Sequence, residues 1–162
     1  MMNNCGALAI LSPESLGKFA PDTAQSLIGL SVNDPRVPTP SFLSEDEKLE
    51  KNLERARTRA RELGVAFRPH LKTHKSIVIA RRQMTSPEGP ATVSTLSEAR
   101  YFAANGVKDM IYAVGIAPQK LAEVARIRSL GVDLKIILDS VEAAKAVSDF
   151  CREHGTEIPV LL

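Results

Sequence analysis

The residues best suited to chemistry fall in one octapeptide, Arg68-Pro69-His70-Leu71-Lys72-Thr73-His74-Lys75. From Phe67 to Gln83 there are five cations and two histidines, with no acid among them. Three readings suit such a segment. The plainest is a solvated basic turn, the usual fate of a charge run. A second is a metal site from His70 and His74. Their i, i+4 spacing fits a helix, but Pro69 and the strand-like residues before it oppose one here. No Glu lies between them, so the pattern is not HExxH. The third is a lysine nucleophile. A lysine amine attacks a carbonyl only when neutral, and nearby cations with partial burial lower its pKa. Lys72 has that setting, beside Arg68, Lys75 and two imidazoles. The same positive field favours an anionic ligand, such as a phosphate or a carboxylate. The residues alone leave these readings open.

The elements that must position this segment follow a rhythm. Four stretches begin with glycine and run into strand-like residues: GVAFRPHLK from Gly64, GVKDMIYAVG from Gly106, GVDLKIILD from Gly131 and GTEIPVLL from Gly155. A helical pattern precedes each glycine. In the first, apolar positions recur at Leu49, Leu53, Ala56, Ala60 and Leu63, one face of a helix that Gly64 ends. Helix starts are marked by three capping boxes: Ser44 to Glu47, Thr95 to Glu98 and Asp139 to Glu142. Pro118 suits a first helical turn. A short strand, ATVST, lies at 91–95, and a helix, KSIVIARRQ, follows the basic octapeptide.

Strands at 110–114 and 134–138 are apolar on both faces, which points to a parallel sheet covered by helices. The class is therefore α/β. A doubly wound sheet and a (β/α)8 barrel both follow from the repeat, and a full barrel needs about 250 residues. The sequence ends at IPVLL, in a stretch that reads as a buried strand. We read the chain as about the first half of a larger βα-repeat domain, a truncated half-barrel if the (β/α)8 form holds. Residues 1–36 read as a poorly ordered leader, since residues 1–40 hold five of the ten prolines.

Composition narrows the function. The chain has 162 residues, a formal net charge of +2 and 44 % hydrophobic residues. That charge is low for a nucleic-acid binder, and five Phe, two Tyr and no Trp give poor material for base stacking. No apolar run reaches the roughly 18–20 residues of a membrane span. Cys5 and Cys151 are far apart and form no zinc-finger pattern, so both read as free thiols of a cytoplasmic protein.

The octapeptide has a further meaning in context. RPHLKTHKS, then ATVSTLSEARYFAANGV, DMIYAVGIAPQKL and VDLKIILDS, resemble the N-terminal part of the D-serine dehydratase and D-threonine aldolase family. These are fold-type III pyridoxal-phosphate enzymes related to alanine racemase. The resemblance runs over roughly residues 37–162, and RPHxKTHK is its specific motif. TPSFL resembles the family's TPxLLLD opening, but runs straight into SEDEK.

The resemblance implies a lyase acting on a small D-amino acid, with pyridoxal 5'-phosphate as cofactor. It makes Lys72 the lysine of the internal aldimine, ahead of Lys75, which lies past the strand end. Arg68, His70, Thr73 and His74 would line the same strand end. Ser94 and Thr95, after the next strand, would contact cofactor or substrate, though Thr95 also reads as a helix cap. KTHK points to the dehydratase side. A zinc or manganese ion is implied in the full-length protein, with its ligands outside this chain, as is a homodimer. The isolated chain is expected to be inactive. The alternatives are a non-catalytic pyridoxal-phosphate-binding module and an amino-acid racemase.

Overall fold

A computed structural model describes residues 31, 33–37 and 45–162. The leader, apart from those few positions, lies outside the described residues, as do Ser44 and the TPSFL segment. Helix α1 spans Asp46–Glu62, with Asp46 and Glu47 in its first turn and Arg59 and Arg61 in its last. Both charge sets suit the helix dipole. Its N-cap is Glu45, which makes no side-chain cap bond. Gly64 follows at φ 63°, as a helix stop requires.

After α1 the strand expected in GVAFRPHLK shrinks to one bridge, His70 with Thr92. Its two hydrogen bonds are Thr92 N–H to Pro69 O at 2.8 Å and Leu71 N–H to Thr92 O at 2.9 Å. Pro69 has no N–H to extend the ladder. Helix α2 then spans Ile77–Gln83. The remaining elements alternate: β1 Ala91–Val93, α3 Leu96–Ala104, β2 Asp109–Gly115, α4 Leu121–Arg128, β3 Asp133–Ile137, α5 Val141–His154 and β4 Val160–Leu161. A 3-10 turn, Pro118–Lys120, leads into α4 with Pro118 in its first turn.

All pairs are parallel, in the order β1-β2-β3-β4. This order separates the two architectures. A doubly wound sheet reverses its strand order to put helices on both faces. Sequential parallel strands joined by right-handed crossovers keep every helix on one face, which is barrel winding. The structure is thus part of a (β/α)8 barrel.

Burial confirms one covered face. Ala91, Val93, Met110, Tyr112, Leu134 and Ile136 are buried and alternate with the partly exposed Thr92, Ile111, Ala113, Lys135 and Ile137. The strands read as apolar on both faces, yet only the helix side is packed here. β4 differs from the buried strand expected. It pairs with β3 alone, and Val160 and Leu161 are exposed.

The caps set the helix starts. Thr95 Oγ1 accepts from Glu98 N–H at 3.0 Å. At α5 the N-cap is Ser140, which accepts from Ala143 N–H, rather than Asp139. The predicted box is therefore displaced by one residue, and Glu142 falls short of the position that could reach back. Gly155 closes α5 at φ 58°, left-handed, where a side chain would be strained.

Candidate functional site

Leu71 fixes the orientation of the basic octapeptide. It is fully buried in the core, as Pro69 is buried, so His70 and Lys72 turn to the opposite, open face. His70 stands level with Thr92, Ile111 and Lys135 across the sheet. Lys72 follows at the C-terminal end, beside Ser94 at the end of β1. In barrel folds these strand ends carry the chemistry.

His70 is held on both nitrogens. Nδ1 accepts from the Lys72 N–H at 3.3 Å, so Nε2 carries the hydrogen and donates to Ser94 Oγ at 3.2 Å. This is the neutral tautomer. Burial pushes its pKa below the ordinary imidazole value, the Lys72 charge adds to that, and Glu98 opposes it. Lys72 itself is exposed, and no ion pair holds its ammonium among the described residues.

The other cations of the segment are engaged elsewhere. Arg68 was expected at the same strand end. Instead its guanidinium makes two 2.9 Å bonds to the Asp109 carboxylate, at the start of β2. It also donates to Ala91 O at 3.2 Å. Lys135 joins this cluster, 3.2 Å from Asp109 and bonded to Asp133. Burial works to raise the Asp109 pKa, but the bonds from Arg68 and Lys135 outweigh it and hold it below the usual carboxylate range. Arg82 pairs with Asp46 and Glu50 of α1. Lys75 pairs with Glu98 at 3.4 Å. Three of the five cations read from the sequence are thus paired with distant acids, Arg81 is bonded to Asn105 O, and Lys72 is left without an ion pair among the described residues.

His74 does not reach the open face with His70. Its Nδ1 accepts from Ser76 N–H at 3.0 Å, and its Nε2 donates to Gln83 Oε1 at 2.9 Å. Both nitrogens staple the turn to α2, so a His70–His74 metal pair is not assembled. Among the described residues no group of three or more His, Cys, Asp or Glu stands close enough to hold a metal ion. Thr73 is exposed beside Lys72. Thr95 serves as the α3 cap. The structure thus brings together His70, Lys72 and Ser94, with Thr73 adjacent, and sends Arg68 and His74 to structural partners.

Sequence reasoning missed the Arg68–Asp109–Lys135 cluster. Its signal was present as charged residues at alternate positions of otherwise apolar strands. It also gave Glu98 only a capping role, although its carboxylate is 7 % exposed and contacts Ser94 N–H at 2.8 Å.

Comparison with known proteins gives concordant results. Residues 45–162 match the sequence profile of the alanine racemase N-terminal domain. D-threo-3-hydroxyaspartate dehydratase of Delftia sp. (strain HT23) is 41 % identical over 122 residues, 75 % of this chain and 32 % of that protein. Its solved structure superposes with a TM-score of 0.72, over 76 % of this chain and 32 % of its own. D-serine dehydratase of Dictyostelium discoideum is 34 % identical over 125 residues, 74 % of this chain and 31 % of that protein. An alanine racemase-like protein of Idiomarina loihiensis superposes with a TM-score of 0.69 and 43 % identity, over 71 % of this chain and 31 % of its own. The chain spans about a third of the length of these relatives.

Proposed function

The chain belongs to the alanine racemase N-terminal domain family, and from that premise we propose that it is the lysine-bearing part of a pyridoxal-phosphate-dependent D-amino-acid lyase. The observation that carries the proposal is the Lys72 amine. It is exposed at the C-terminal strand ends, on the open face, with no ion pair among the described residues and with His70 and Ser94 beside it. The named relatives are dehydratases of D-threo-3-hydroxyaspartate and D-serine, so the substrate class is a β-hydroxy D-amino acid.

The residues present fit the cofactor. An aldehyde needs an accessible primary amine, and Lys72 is exposed with no ion pair among the described residues. Lys75, held by the buried Glu98 carboxylate, is disfavoured for that role. Lys72 would hold the cofactor, with His70, Ser94 and Thr73 as its immediate neighbours. Bound there, pyridoxal phosphate supplies an electron sink for charge developing at the substrate Cα.

The chain's own residues prepare the place. His70, fixed as the neutral tautomer, adds no second charge beside the Lys72 amine and orients the Ser94 hydroxyl. Leu71, locked in the core, sets the direction of Lys72. These 162 residues alone are proposed to bind the cofactor without turning over substrate.

Absorbance titration with pyridoxal phosphate tests the assignment, together with a pyruvate assay on D-serine. Saturable binding at one site, abolished in Lys72→Ala, with no pyruvate formed, supports it. Equal binding by wild type and Lys72→Ala contradicts the assignment of Lys72. Pyruvate formation by the chain contradicts the claim of inactivity.

A further inference from the structure

Glu98 is the one buried charged residue among the described residues. A carboxylate removed from water must be paired to be tolerated. It lies three residues after the Thr95 cap, where a capping-box carboxylate turns back to the cap's own N–H. Here it reaches past the cap. Oε2 accepts from Ser94 N–H at 2.8 Å, and Oε1 lies 3.4 Å from Lys75 Nζ.

Those two partners belong to the two loops that make the site. Ser94 ends β1 and accepts from His70, whose Nδ1 accepts the Lys72 N–H. Lys75 closes the turn that begins at Leu71 and contains Lys72. It holds φ 50°, the only positive φ at a non-glycine position among the described residues. An L side chain takes that conformation only where its surroundings impose it. The Lys75 backbone N–H is bonded to Leu71 O at 3.0 Å, and its ammonium is bonded to Glu98. One buried carboxylate thus joins Lys75, at the close of the turn that contains Lys72, to Ser94, whose hydroxyl is bonded to His70 just before that turn.

We propose that Glu98 is a positioning residue for Lys72, tying the 71–76 turn to Ser94 so that the Lys72 amine is presented in one direction. The inference rests on the reading of Lys72 as the cofactor lysine. The effect of the Glu98 charge on His70 agrees with this closeness.

The test is the rate of borohydride-trapped pyridoxal-phosphate adduct at Lys72, measured by peptide mapping in folded protein. Glu98→Ala is expected to slow labelling of Lys72 about tenfold or more, the effect of losing a charge-assisted bond. Glu98→Gln keeps an acceptor for the Ser94 N–H and is expected to recover part of that loss. Lys75→Met keeps the Glu98–Ser94 bond and is expected to show a several-fold loss. If Glu98→Ala does not fold, Glu98→Gln and Lys75→Met decide by the same rate. A role confined to capping α3 would lower the melting temperature and leave the Lys72 rate at the wild-type value in every folded variant, overturning the inference. Wild type with no Lys72 adduct overturns instead the underlying reading of Lys72.

Discussion

Arg68→Ala separates the two roles that the basic octapeptide suggests. The substitution removes both 2.9 Å bonds to Asp109 and the 3.2 Å bond to Ala91 O. Hydrogen bonds to charged groups contribute about 1.5–3 kcal/mol each when shielded from water. Here the two side chains are 28 % and 40 % exposed, so solvent screening takes much of that away. Asp109 also keeps Lys135, so no carboxylate is left uncompensated. The net loss is about 1–2 kcal/mol, a fall in Tm of about 3–8 °C for a domain of this size. Urea and thermal unfolding followed by circular dichroism measure it. A double-mutant cycle with Asp109→Asn should return a coupling of about 1 kcal/mol. Pyridoxal-phosphate labelling of Lys72 in folded Arg68→Ala should match wild type. Unchanged stability with lost labelling would refute the reasoning, because Arg68 would then act at the strand ends.

Leu71→Ala, which empties a fully buried position between His70 and Lys72, should cost about 3 kcal/mol in urea unfolding and blur the Lys72 labelling of the folded fraction. The depressed pKa of Asp109 contributes stability that is complete above its unfolded value of about 3.9 and declines as pH falls toward the lower folded value. Asp109→Asn should remove that part of the acid transition. The His70 imidazole should titrate by NMR below about 6.5, with its stability contribution complete above that pH and lost on acidification through the folded value. Ser140→Ala removes the α5 cap and should cost about 1 kcal/mol, read from the same unfolding curves.

Local signals were the legible part of the sequence. The Thr95 box, Pro118 before α4 and the left-handed stops at Gly64 and Gly155 all depend on neighbours within a few residues. The strand in GVAFRPHLK read too long because its glycine start and apolar run do not reveal that only His70 meets a partner strand. The destination of the charges was not legible. Arg68 meets an acid 41 residues away and Arg82 one 32 residues away, separations set by crossover helices rather than by pattern. Of the five cations, Arg68, Lys75 and Arg82 meet acids, Arg81 is bonded to the Asn105 carbonyl, and Lys72 has no ion pair among the described residues. The alternation around the buried Leu71 explains why His70 and Lys72 share the open side of the sheet.

The central claim is that Lys72 is the cofactor lysine. Borohydride reduction of the chain with pyridoxal phosphate, followed by mass-spectrometric mapping of the modified peptide, tests it most directly. The account predicts an adduct on Lys72 that persists in Lys75→Ala and vanishes in Lys72→Ala. An adduct centred on Lys75, or labelling scattered over the lysines of a chain shown to be folded by circular dichroism, would contradict it.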